Sequence, residues 1–306
     1  MREKVRELIE FGRYDAILLF SIDAIQFFPT SCYSKLIVHI EDPPSIKGSR
    51  LLRVPVFSFW EWIKLFIVSH VTSIYEQRVL PLVAKVLLLS KSDMQDLYEQ
   101  GYYHNLGFVP YGVDQKDTSE IASFELREKA IIFSGNMFHT PNVDGALFFL
   151  KDIFPLILKQ YPTAMLWIVG AAPDPRIYVA ASQFDKQVLI TGRVHSVADY
   201  IKRATVSICP VRLKIGVQTK ILEALSLGTP VVTTSAGNSG IEGRSGCHFR
   251  IEDDPQQFAN RVVELLQGIG WSKLSEEGRW LVEREFSWEG SNVQLERYLE
   301  AVISKN

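Results

Sequence analysis

AIIFSG at 130–135, AMLWIVG at 164–170, QVLITG at 187–192, TVSICP at 205–210 and PVVTT at 230–234 are five short apolar runs of one kind. Stretches of helical period at 143–160, 174–183, 196–203 and 217–227 separate them. Continuous apolar strands alternating with helices predict a parallel sheet covered on both faces. The same rhythm precedes this block in DAILLF (15–20), SKLIVHI (34–40), AKVLLLS (84–90) and NLGFVPYG (105–112). Helical stretches such as Tyr75–Leu82 and Lys91–Gln100 lie between those runs, and Ser90 with Asp93 behind it reads as an N-cap. A polar stretch, VDQKDTSEIASFELREKA, follows Gly112 and reads as a linker. The expected fold class is therefore α/β with two doubly wound units. The tail from Glu252 is helical, at 256–267, 273–285 and 289–303.

A length of 306 residues agrees with two domains. Hydrophobic residues at 47% and charged ones at 22% exclude a disordered or fibrous chain. Lys and Arg number 33 against 35 Asp and Glu, a net charge of −2, which argues against a dedicated nucleic-acid binder. Cys32, Cys209 and Cys247 stand far apart without a CxxC pair, so neither a disulfide framework nor a zinc site is expected, and a reducing cytoplasm fits. The opening MREKVRELIEFGRYD reads as a charged surface helix, not a signal segment. Val54 to Val71, VPVFSFWEWIKLFIVSHV, carries Glu61 and Lys64 in its middle and is not expected to span a bilayer. Two readings remain for it: a helix packed on its own domain, which is preferred, or an interfacial helix making peripheral membrane contact. Trp60 and Trp62 are read as packing residues.

Ligands of open α/β sheets sit at the carboxyl ends of the strands, where helix N-termini expose unpaired N–H groups. In the second unit those ends carry Gly135, Asn136, His139 and Asn142 in FSGNMFHTPN, then Arg193, Val194 and His195 in ITGRVHSVADY. The most informative segment is CPVRLKIGVQTKILEALSLGTPVV (209–232). Gly216 and Val217 precede a helix whose first turn holds Gln218, Thr219 and Lys220; Arg212 and Lys214 lie before it and Glu223 three residues after Lys220. Outward N–H groups, the helix dipole and three cations complement a diphosphate, and Glu223 can accept two hydrogen bonds from the vicinal hydroxyls of a ribose. The plainer alternative is a helix start with solvated lysines.

The stretch 130–243 resembles the donor-binding domain of a glycosyltransferase family 4 enzyme of GT-B fold, with two Rossmann-like domains. The matching segments are FSGNMFHTPNVDGALFFL, LWIVG, VLITGRV, KILEALSLGTPVVTT and GIEG. The motif Gly-x-x-x-Lys-x-x-Glu-Ala of a bacterial sugar-transferase subgroup stands here as Gly216–Lys220–Glu223–Ala224. YEQRVLPLVAKVLLLSKSDMQDL and FVPYGVD are similar to the second half of the family's first domain, and FSWEGSNVQLERYL to its closing helix, which crosses back to that domain. The resemblance implies three segments: an acceptor-side domain at 1–113, a donor-nucleotide domain at 114–288 and the crossing helix at 289–306. It implies a retaining transferase that needs no metal and no cofactor, its co-substrate being a nucleoside-diphosphate sugar of UDP or GDP type. Glu223 matches the residue holding the ribose, Arg193 lies where base and phosphates are met, and Gly135 faces the diphosphate. Arg212 and Lys220 would neutralise the charge growing on the departing diphosphate.

Two positions depart from the family. Ile215 stands where many members carry a glutamate eight residues before Glu223, and Asn136 stands where an Arg or Lys follows the first glycine. The domain ahead of the linker is also shorter than the family's. Its beginning is a minimal acceptor domain, a truncated start, or a unit completed by a partner chain. In HIEDPPS, His39, Glu41 and Asp42 follow a strand; they read as acceptor-hydroxyl recognition or general-base help, or as an ordinary turn before Pro43 and Pro44. The expected function is sugar transfer to a glycan or lipid-linked acceptor in polysaccharide biosynthesis. The alternatives are a non-catalytic half-enzyme subunit that binds nucleotide and requires a partner, and, less favoured, a nucleotide-sugar epimerase using Glu41 and Asp42. The expected location is cytoplasmic, with peripheral contact at the inner membrane face.

Overall fold

The computed structural model describes residues 1–52, 59–101, 105–113, 123–184 and 186–305. They divide into two compact units: Met1–Tyr111 with Ile215–Val217 and Trp288–Asn306, and Gly112–Lys214 with Gln218–Ser287. The expected boundary at 113/114 adjoins 114–122, which lies outside the described residues and makes up half of the predicted linker.

In the first unit, α1 (Arg2–Phe11) is followed by β1 (Ile17–Leu19), β2 (Leu36–Ile40), α2 (Pro44–Leu51) and α3 (Phe59–Val79). After these come β3 (Lys85–Leu88), α4 (Lys91–Glu99) and β4 (Leu106–Phe108). The four strands are parallel in the order β1-β2-β3-β4, with no reversal. Crossovers of one hand therefore cover one face. On it, Leu36, Val38, Ile40, Val86 and Leu88 pack with Ile46 of α2 and Leu97 of α4. Ser90 caps α4, its hydroxyl accepting from Asp93 N–H at 3.2 Å, as its sequence predicts.

The alternate residues Ile37 and Leu87 point to the opposite face and pack there with Val302, Leu295, Tyr298 and Leu299 of the closing helix, Trp288–Ile303. The Tyr298 hydroxyl accepts from Phe108 N–H at 3.2 Å. Ser291 donates to the Pro110 carbonyl at 2.7 Å. The second face of this sheet is thus closed by the end of the chain and not by a crossover helix.

HIEDPPS is not only a turn. Pro43 and Pro44 open α2, where a proline in the first turn sacrifices no hydrogen bond. The stretch 54–71 and the separate helix at 75–82 also prove different: a single 21-residue helix, α3, begins at Phe59, while Val54–Ser58 lie outside the described residues. Only Ser69 and Glu76 of α3 are buried, yet the helix packs on its own unit, against α2, with Tyr75 and Val79 partly buried on the core. Trp60 is 77% exposed and Phe59 70%, which overturns the packing role given to Trp60.

The second unit runs β5 (Glu128–Ser134), α5 (Thr140–Phe148), α6 (Phe154–Gln160), β6 (Met165–Val169), α7 (Pro175–Ala181), β7 (Val188–Gly192) and α8 (Val197–Arg203). It continues through β8 (Ala204–Cys209), α9 (Thr219–Ser226), β9 (Val231–Thr233), α10 (Ser235–Asn238), β10 (Arg250–Ile251), α11 (Pro255–Leu266) and α12 (Trp271–Glu285); α13 is the closing helix. The helix expected over 143–160 is broken by a π-turn at Phe149–Ile153, where Phe154 N–H reaches back to Phe149 O. Pro155 lacks an N–H and its ring crowds the preceding turn, so the widened turn accommodates it. The parallel sheet has the order β10-β9-β8-β5-β6-β7. The chain starts at β5, builds outward to β7, and returns to β8 on the other side of β5. The switch point therefore lies between the carboxyl ends of β5 and β8.

Candidate functional site

Those two strand ends carry most of the residues singled out in the sequence. Gly135 follows β5 with φ +145°, and a Cβ there would lie 2.9 Å from Asn142 Nδ2 and 3.2 Å from Lys220 Cε. Glycine lets both side chains sit against the strand end. Beyond β8, α9 begins at Thr219, with Gln218 as its N-cap residue; its side chain makes no capping bond. The expected start at 217 thus moves to 219, and Gln218 and Lys220 are linked to each other. Gly216, at φ +52°, takes the left-handed conformation that glycine favours. Gly216 and Val217 belong by their contacts to the first unit.

Lys220 is held by two neutral amides. Its Nζ donates to Asn142 Oδ1 at 3.0 Å and to Gln218 Oε1 at 2.9 Å. Asn142 Nδ2 in turn donates to Asn136 O at 2.8 Å, and the Asn136 side chain accepts from Phe138 N–H at 3.1 Å. The cation is thereby positioned without losing its charge to these partners, next to a helix start whose side chain leaves the first N–H groups uncapped. This is an anion-attracting arrangement.

Arg212 is differently placed. Its Nε donates to Asp144 Oδ2 at 2.9 Å and its Nη2 to Asp144 Oδ1, a bidentate pair that raises the guanidinium pKa further. It also lies over the Phe148 ring, 4.8 Å from the centroid. Asp144 is buried, so Arg212 brings little net charge to the site. Sequence reasoning missed Asp144; the signal was a carboxylate inside the apolar run VDGALFF.

Glu223 is solvent-accessible in α9 but recessed among protein atoms. Desolvation raises its carboxyl pKa, and the nearby Lys220 charge lowers it in part. Arg193 and Val194 follow β7, and Arg193 is exposed. β7 is three strand positions from β8, about 14 Å at the usual strand spacing. His39 and Asp42 belong to the first unit. His39 stacks edge-on with Phe20, centroids 5.7 Å apart; burial lowers its pKa and Glu41 raises it in part. Asp42 pairs with Lys47 at 3.0 Å.

Residues 128–268 match the family model of the Glycosyl transferases group 1. Across the whole chain, 98% superposes on 81% of HepE from Anabaena in complex with UDP-glucose, with a TM-score of 0.74 and 14% identity. A glycosyltransferase from Rickettsia africae gives 0.73 at 15% identity, covering 100% of this chain and 81% of that one. The fold is GT-B.

Within this GT-B chain, the group 1 segment contains both strand ends just described. TarM of S. aureus, solved with UDP, matches with a TM-score of 0.68 at 13% identity, over 96% of this chain and 58% of TarM. A Klebsiella pneumoniae protein described as an uncharacterized 44.6 kDa protein in the cps region is 26% identical over 228 residues, 72% of this chain and 56% of its own length. The chain thus spans little more than half the length of these two relatives. No described helix is long and apolar enough to cross a membrane.

Proposed function

We propose that the chain is a retaining glycosyltransferase of the family 4 type, moving a sugar from a nucleoside diphosphate to a glycan or lipid-linked acceptor. The observation that carries this reading is Lys220, a charge held by two neutral amides at the start of α9, beside the Gly135 strand end. In this reading the diphosphate lies against the first N–H groups of α9 and Lys220 Nζ, and Glu223 accepts hydrogen bonds from the ribose. Arg193 and Val194 meet the base, across a span of the sheet suited to a nucleotide. When the glycosidic bond breaks, negative charge collects on the departing diphosphate, and Lys220 with the helix N-terminus stabilises it. Arg212, already paired with Asp144, serves to orient more than to neutralise.

The proposal includes metal independence, since Lys220 and the helix start supply positive charge to the leaving group. His39 and Asp42 are proposed for the acceptor hydroxyl. The cps-region relative supports a place in polysaccharide biosynthesis.

A transfer and hydrolysis assay against a panel of UDP and GDP sugars tests the reading, with Glu223→Ala and Lys220→Ala in parallel. Turnover that falls in both variants is the expected result. Undiminished turnover in both would reject the site. Tight nucleotide binding with no turnover of any donor would favour the non-catalytic subunit.

A further inference from the structure

α3 is assembled in reverse of an ordinary surface helix. Its buried positions are polar: Ser69, against which Gly48 of α2 packs, and Glu76, which accepts from Ser45 N–H at 2.8 Å. Its solvent side is apolar. Phe59, Trp60, Ile67, Val71 and Ile74 are all exposed and, at about 100° per residue, fall on one face together with the partly exposed Ile63. The charges on that same face are Lys64 and Arg78, both exposed. Glu61 lies on the flank and Glu76 points to the core, so the outward face, mostly apolar with His70 and Gln77 at one side, carries cations and no carboxylate.

We propose that this face of α3 lies on an anionic lipid bilayer. A helix of 21 residues is about 31 Å long, enough to lie along a surface over several lipids. Trp60 and Phe59 suit the headgroup boundary, and Lys64 and Arg78 have long stems that reach anionic headgroups while their helix sinks. A second copy of the chain is the poorer occupant, because a symmetric contact through this face would bring like-charged residues together. The inference does not rest on sugar transfer, although a surface-bound enzyme would be well placed for a lipid-linked acceptor.

Vesicle flotation of the full chain tests it. Phosphatidylcholine vesicles are compared with vesicles containing about one-third phosphatidylglycerol, at low salt and at about 0.5 M salt. The protein should float with the anionic vesicles and largely be released by salt. Lys64→Glu with Arg78→Glu should weaken capture by at least about five-fold per cation, the fold-change of ~1 kcal/mol for each charge near such a surface. Trp60→Glu with Ile67→Glu should abolish it while circular dichroism and melting temperature stay as in wild type, since both side chains are exposed. Failure of the wild type to float, or wild-type flotation by the Trp60→Glu, Ile67→Glu protein, overturns the proposal. So does a dimer in light scattering that this double variant converts to monomer without any vesicle binding by the wild type.

Discussion

Lys220 shows how a single side chain becomes a site. A solvated lysine at a helix start is common and weak, but here Asn142 and Gln218 fix its ammonium over Gly135 and leave its charge unspent. Removing one preorganised donor from a developing anion typically costs 10²- to 10³-fold in turnover, roughly the loss expected for Lys220→Ala in kcat. Asn142→Ala should cost less, about ten-fold, because the cation remains and only its position is lost; steady-state kinetics with the best donor separates the two. Glu223 makes a different prediction, on binding. Losing its charge-assisted bonds should weaken nucleotide affinity by roughly 10- to 100-fold in Glu223→Ala. Burial raises its pKa, so protons compete with ribose hydroxyls sooner than at an ordinary glutamate. Calorimetric affinity should therefore fall as the pH is lowered from about 8 to 5 and stay flatter in Glu223→Gln.

At the scale of elements, the α2–α3 pair holds a carboxyl that burial drives up to about 7. Glu76 is buried and accepts from Ser45 N–H, and its other oxygen has no hydrogen-bond partner among the described residues. The folded state therefore holds its proton more tightly than the unfolded chain. The stability this provides is complete below the ordinary carboxylate pKa and is lost as pH rises through about 7, a difference of up to about 3 kcal/mol. Glu76→Gln keeps an oxygen for Ser45 and removes the titration. Urea unfolding should find it more stable than wild type at about pH 8, and nearly equal at about pH 5; parallel pH profiles would refute this. Such a residue was hard to read in sequence, because YEQR resembles the polar side of any helix. α3 was equally hard to read: Trp60, which suggested packing, is exposed, and the buried positions are Ser69 and Glu76. Pro155 did carry a readable signal for the broken helix, which an unbroken apolar period concealed.

Across the whole molecule, the parallel α/β plan was legible because strands buried on both faces are continuous apolar runs, and β5 to β9 stand where AIIFSG to PVVTT predict. The strand order was not, since which neighbour a parallel strand chooses depends on crossovers that leave no local mark. Yet that order brings Gly135 and Lys220, 85 positions apart, to one point. Nor did sequence tell that Ile215–Val217 would belong to the first unit; the last helix, expected from the family resemblance to cross back to that domain, groups with it as well. Asp144 illustrates the same limit for the site: its partner is 68 residues away and only folding pairs them.

A crystal structure with UDP, or with GDP should UDP not bind, tests the central claim most directly. The diphosphate should lie within hydrogen-bond reach of Lys220 Nζ and the opening N–H groups of α9, with the ribose hydroxyls on Glu223. A nucleotide held elsewhere on the chain, with these groups left to solvent, would contradict it.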